Sequence, residues 1–189
     1  MNNITPKIEE DFVRNINRRP LLSRLLPDRF KPSLYYRWYH FRHAQHHDLF
    51  GVAPLAFTPD ISMYSLPLGD IISGNVAFNG FHELALSKRL HKLAQRGGTF
   101  VDVGANMGYF SLLWAGTGPL NHVIAFEPAP RNIALLQNNI DQNHLANRIT
   151  HIPKAAGHHP CTITFDLGPE EQTGWGGIST TASSSSISV

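Results

Sequence analysis

Phe100-Val101-Asp102-Val103-Gly104-Ala105-Asn106-Met107-Gly108-Tyr109-Phe110 is the stretch on which the fold turns. Thr99 to Val103 is a β-rich run, too short for a helix and closed by Gly104, so it reads as a buried strand. Met107 to Ala115 then reads as a helix. A glycine-containing loop between strand and helix lets a ligand approach the backbone closely and aims the helix's free N–H groups at the ligand's polar end. The dinucleotide fingerprint Gly-x-Gly-x-x-Gly, begun at Gly104, needs glycine at positions 106 and 109, where Asn106 and Tyr109 stand. A phosphate-binding P-loop is ruled out as well, since no Gly-Lys pair followed by Ser or Thr occurs.

Outward from this segment the pattern repeats. Val123 to Phe126 predicts a second buried strand, Pro130 to Gln142 a helix with Ile133, Leu136 and Ile140 on one face, and Ile149 to Ile152 a third strand. Strands alternating with helices of ten or so residues indicate βαβ units, hence an α/β fold with a doubly wound parallel sheet. Upstream, Leu86, Leu90, Leu93 and Ala94 predict a helix from about His82 that Gly97-Gly98 terminates. Ile61 to Val76 reads as short strands in a hairpin-like lead-in. Before it, prolines at 6, 20, 27, 32, 54 and 59 confine helices to Glu9–Arg18 and Ser33–Leu49, the latter with Leu34, Trp38 and Phe41 at helical spacing. Downstream, Cys161, Ile163 and Phe165 alternate with threonines as in an edge or hairpin strand, and the Ser-rich run from Ser179 to Val189 reads as a loop or flexible tail. The expected division is a helical, basic-aromatic N-terminal extension (1–60), the N-terminal half of an α/β domain (61–178) and a tail (179–189), with the sheet truncated after its third core strand.

Composition narrows the function. Sixteen Lys and Arg against fourteen Asp and Glu leave a net charge of +2 over 189 residues, too little for electrostatics alone to indicate a nucleic-acid or membrane-surface binder. With 42% hydrophobic residues the chain can bury a core. A single cysteine forms no internal disulfide, no signal-peptide pattern opens the chain, and no apolar run reaches membrane-span length. A cytoplasmic location is expected, with no membrane span and no nucleic-acid partner.

Two acids give the loop its chemistry. Asp102 ends the first strand beside the Gly104 to Gly108 turn, and Glu127 stands at the tip of the next strand, nineteen residues beyond Gly108. A carboxylate there can accept the ribose hydroxyls of an adenosine-containing ligand. An acid beside the glycine turn repels a pyrophosphate but suits a cationic amine. That favours S-adenosylmethionine, with its ammonium, sulfonium and ribose diol, over a nicotinamide dinucleotide.

Phe100 to Gly108, Ala125-Phe126-Glu127-Pro128 with Pro130 and Asn132, and Leu135-Leu136-Gln137-Asn138-Asn139-Ile140 resemble the FkbM-type S-adenosylmethionine-dependent methyltransferases. The likeness extends back through Gly80 and Glu83 and forward through Ala155-Ala156-Gly157 and Gly174-Trp175-Gly176-Gly177, leaving Met1 to Asp60 outside it. It implies a class I (Rossmann-like) methyltransferase fold, O-methylation of a small-molecule or glycan acceptor, and cofactor contacts from Asp102, Gly104, Ala105, Asn106, Gly108, Tyr109, Glu127 and Pro128. The family's later Lys-x-Asp-x-Glu-Gly strand, expected near the acceptor, has no counterpart here, so no catalytic base is assigned.

Other residues admit plainer roles. Asn106 either touches the ligand or tolerates a left-handed backbone. Phe110 packs, Asn132 caps its helix or meets the ligand, and Glu83 is an ordinary first-turn carboxylate. His43 and His47, one turn apart beside Arg37 and Arg42, read as part of a solvated basic helix rather than a metal site. Trp175, among glycines, is either a lid or a loop anchor.

Overall fold

The computed structural model describes residues 18–159, 161–179 and 186–188. Its centre is a parallel three-stranded sheet in the order β3-β4-β5. Before it come the short helices α1 (Leu21–Leu25), α2 (Lys31–Leu34) and α3 (Asp48–Gly51), an antiparallel pair β1 (Val52–Pro54) and β2 (Ser62–Tyr64), and helices α4 (Ile71–Asn79) and α5 (Leu84–Ala94). The central unit then runs β3 (Gly98–Val103), α6 (Tyr109–Thr117), β4 (Asn121–Phe126), α7 (Pro130–Gln142) and β5 (Ile149–Ile152). Asp102 pairs with Ala125, and Ala125 in turn with His151, so the loops after β3 and β4 emerge side by side at one end of the sheet. Two successive strand–helix–strand crossovers into a parallel sheet are the Rossmann-like arrangement that the sequence predicts.

The core of this unit follows from its periodicities. Leu112, Leu113 and Ala115 of α6 and Leu136 and Ile140 of α7 are fully buried, together with Val123 and Ala125 of β4 and Leu145 after α7. α5 packs along α6 with Ser87, Leu90 and Ala94 inward, which leaves the expected core residues Leu86 and Leu93 partly exposed. The strand β3 departs from its reading as buried. It is an edge of the sheet among the described residues, and Val101 and Val103 are 52% and 63% exposed while Asp102 points inward. Period-two alternation cannot tell a strand covered on both faces from one covered on a single face.

The lead-in is corrected in part. Of the strands expected within Ile61–Val76 only β2 forms, with Ile61 and Met63 buried; its antiparallel partner β1 lies upstream, in the extension expected to be helical, and Ile71 to Val76 is helix α4, not strand. The reason is a cap: the Asp70 carboxylate accepts from the Ser73 N–H at 2.7 Å, and Gly80, at φ 80°, ends the helix by donating to Val76. The free edge of β2 is met by α7 rather than by a strand. The Tyr64 N–H donates to Asn139 Oδ1, and Ser62 exchanges two hydrogen bonds with the Asn143 amide.

The helix expected over Ser33–Leu49 breaks into α2, a π-helical turn at Tyr35–Tyr39, a 3-10 turn at His43–His46 and α3. Its buried residues are Tyr35, His43 and Leu49, whereas Trp38 and Phe41 face solvent. His43 is therefore not solvated: Tyr35 Oη lies 2.8 Å from its Nε2, and the Gly69 N–H donates to its Nδ1. The helix expected over Glu9–Arg18 lies outside the described residues except for Arg18. At the other end, β6 (Thr164–Asp166) is the centre rather than the edge of an antiparallel sheet, between β7 (Gly177–Ser179) and β8 (Ser186–Ser188). Part of the stretch expected as a Ser-rich loop thus pairs as strand, since a ladder uses backbone groups that serine carries like any other residue. No helix among the described residues is long and apolar enough to cross a membrane.

Candidate cofactor site

A cavity of about 320 Å³ opens at the end of the sheet where β3 and β4 deliver their loops. One wall comes from these loops: Gly104 and Asn106 from the first, Glu127, Pro128 and Ala129 from the second, and Asn132 from the first turn of α7. The loop geometry is set by positive φ at Gly104 (78°), Asn106 (53°) and Gly108 (92°). At Gly108 there is a second constraint, because a Cβ there would lie 2.5 Å from a methyl of buried Leu136. At Gly104 the surrounding space is open, so only the backbone conformation demands glycine.

Glu127, 3% exposed, clamps the two loops together. Its Oε2 accepts from the Asn106 N–H at 2.7 Å, and its Oε1 accepts from the Ala129 N–H at 2.9 Å and the Asn132 amide at 3.3 Å. Of roughly four acceptor positions on a carboxylate, three are therefore taken by the protein. The remaining position fits one ribose hydroxyl, and a second would have to replace the longest of the three bonds.

Asp102 lies deeper. Its carboxylate is buried beneath α6, accepts from the Ser111 hydroxyl at 2.7 Å, and does not line the cavity. Burial pushes its pKa above the usual range, the Ser111 bond opposes that, and the charge of Glu127 adds to it. Tyr109 turns away too, its hydroxyl 2.9 Å from Ser87 on α5 and its pKa pushed up by burial to about 12. Of the eight residues expected to hold the cofactor, Gly104, Asn106, Glu127 and Pro128 line the cavity; Asp102, Ala105, Gly108 and Tyr109 shape the loop and the helix behind it.

Of the facing wall the sequence singled out only the run Gly174 to Gly177, and not what holds it. The wall consists of Phe165, Leu167 and the 3-10 turn Thr173–Trp175 with its glycines, and it hangs on Asp70. Asp70 Oδ1 accepts from the Thr173 N–H at 2.9 Å and its hydroxyl at 3.0 Å, while Oδ2 caps α4. Thr173 then accepts from the Asn106 amide at 3.1 Å through Oγ1 and from the Asn132 amide at 3.0 Å through its carbonyl. Arg131 holds the carbonyls of Leu167, Pro169 and Gln172. Trp175 does not line the cavity and is 63% exposed.

The arrangement leaves acceptors without donors. Both asparagine amides are oriented with nitrogen toward protein acceptors, so the Oδ1 atoms of Asn106 and Asn132 are buried with no partner. Asn106 and Asn132 line the cavity, but these two oxygens are themselves closed off from it, so a ligand meets them only after the side chains turn. No group of three metal-ligating side chains occurs among the described residues.

The parallel sheet with its two crossovers and this loop has the class I, Rossmann-like fold of methyltransferases. Residues 80–161, from the turn before α5 to just past β5, match the sequence profile of the TRM5/TYW2 methyltransferase domain. Among solved structures, the chain is similar to Pyrococcus horikoshii TYW2 in complex with MeSAdo, at 20% identity over 83% of this chain and 66% of that one, with a TM-score of 0.40. It is also similar to a Staphylococcus aureus protein assigned as a caffeoyl-CoA O-methyltransferase, at 13% identity over 66% of this chain and 49% of that one, with a TM-score of 0.38. The chain thus spans between half and two thirds of the length of these structures. No curated protein sequence matches it.

Proposed function

We propose that the chain is the cofactor-binding part of an S-adenosylmethionine-dependent methyltransferase of the FkbM type, acting in the cytoplasm on an oxygen of a small-molecule or glycan acceptor rather than on a nucleic acid. The observation that carries the cofactor reading is Glu127, which lines the cavity, holds the Asn106 N–H and keeps one acceptor position free. The acceptor class and the FkbM assignment rest on the segments around Gly104 and Glu127.

S-adenosylmethionine would bring an electrophilic methyl group to this cavity. Glu127 would take one ribose hydroxyl on its remaining acceptor position. Gly104 would let the methionine part lie against the backbone. Isothermal calorimetry with S-adenosylmethionine, S-adenosylhomocysteine and NAD tests the reading. Binding of the first two and not the third is expected; preference for NAD would replace it with an oxidoreductase. Methyl release to glycans, small alcohols and RNA, followed with labelled cofactor, tests the acceptor class, and transfer to RNA alone would overturn the FkbM assignment.

A further inference from the structure

Residues 18–42 present a surface unlike the rest of the molecule. On α1, Leu21, Leu22 and Leu25 share an arc of about 100° at the helical angle per residue, and all three are more than half exposed while Ser23 faces inward. In the next helical stretch Tyr35 and His43 turn to the core, which leaves Trp38 and Phe41 outward at 53% and 87% exposure. Leucine and aromatic side chains thus lie in water on two consecutive elements, where a surface without a partner would carry polar residues.

The charge on the same stretch has one sign. Arg18, Arg29, Arg37 and Arg42 are all exposed, and the guanidinium of Arg29 sits 4.7 Å over the ring of Phe30. The single acid, Asp28, is neutralised by Lys31 at 2.9 Å. The chain's net charge of +2 therefore conceals a local excess of cations in the stretch that carries the exposed apolar residues.

We propose that this face rests on an anionic phospholipid surface and holds the protein there as a peripheral membrane protein. Leucines on a one-turn helix enter the acyl boundary, Trp38 and Phe41 sit at headgroup depth, and the arginines meet lipid phosphates. A nucleic acid would use the arginines but has no place for the leucines. An ordinary protein interface is depleted of uncompensated charge at its centre. The elements are too short to cross a bilayer, so the protein lies on the membrane.

The test uses the whole chain with sucrose-loaded vesicles of phosphatidylcholine, with and without phosphatidylserine. Sedimentation with the anionic vesicles only, release by salt, and a blue shift of tryptophan emission that Trp38→Phe reduces are expected. Leu22→Ser with Leu25→Ser, and separately Arg29→Gln with Arg37→Gln, are expected to weaken partitioning about tenfold or more. These positions are exposed, and circular dichroism and S-adenosylmethionine binding serve as checks that each variant is folded. No sedimentation, equal binding to neutral vesicles, unchanged partitioning of folded variants, or binding to an RNA oligomer without vesicle binding would each overturn the proposal. So would self-association through this face that lipid does not relieve.

Discussion

The two walls of the cavity are built by different means. The loop wall is local: β3 and β4 are neighbours in one sheet, and a single carboxylate, Glu127, ties their loops together over twenty-one residues of sequence through backbone N–H groups. The facing wall is assembled from afar, with Thr173 held by Asp70 across 103 residues through side-chain bonds. A wall fixed by strand pairing keeps its shape whether or not a ligand is present. One suspended from a few side chains depends on every one of them, and its loss leaves the sheet standing.

The largest effect is expected at the clamp. Glu127→Gln puts an amide N–H against a backbone N–H and removes the charge, so S-adenosylmethionine affinity should fall by about 1.5 to 3 kcal/mol and the fold should lose about 1 to 3 kcal/mol. Calorimetry with thermal melting reads both, and a folded variant with parental affinity removes Glu127 from the cofactor site. Asp70→Ala sharpens the contrast between the walls. It uncaps α4 at about 0.5 to 2 kcal/mol and frees Thr173, so hydrogen exchange should rise at residues 167–177 while β3 and β4 stay protected. Equal deprotection of both walls would show that they are one unit.

The glycines of the loop wall offer a smaller test. Gly108→Ala must push aside Leu136 and hold a positive φ, costing about 1 to 3 kcal/mol, whereas Gly104→Ala meets open space and carries only the backbone penalty of about 1 to 2 kcal/mol. Denaturant unfolding of the pair should rank Gly108→Ala as the more damaging. The reverse order would mean that the loop relaxes around position 108.

The smallest effect concerns pH. Burial lowers the pKa of His43, the charge of His40 lowers it further and Asp70 opposes, while His46 and His82 are lowered chiefly by burial. The unfolded chain then binds more protons than the folded one below an unfolded value near 6.5. Stability is fully present above that value and is lost as pH falls through the lowered folded values. For His43 the structural reason is plain, since its Nδ1 accepts the Gly69 N–H and cannot also carry a proton. Melting temperatures between neutral and acidic pH should fall, less steeply in His43→Gln. An unchanged slope would assign the effect to His46 and His82.

How much was legible depends on sequence separation. The Gly104 to Gly108 turn, the acid nineteen residues on, the helix Pro130–Gln142 and the strand Ile149–Ile152 are all determined by local pattern, because periodicity and backbone conformation act within a few residues. Helix α4 was legible in principle from Asp70 and Ser73, but the surrounding apolar residues suit either period. Tertiary structure alone decided that Asp102 serves Ser111 rather than the cavity, that Glu127 is largely spent on holding two loops, and that β3 lies at an edge. It alone brought Asp70, Asn132 and Thr173 together, since a hydrogen bond between side chains far apart in the chain leaves no periodic trace and exists only once the elements that carry them have packed.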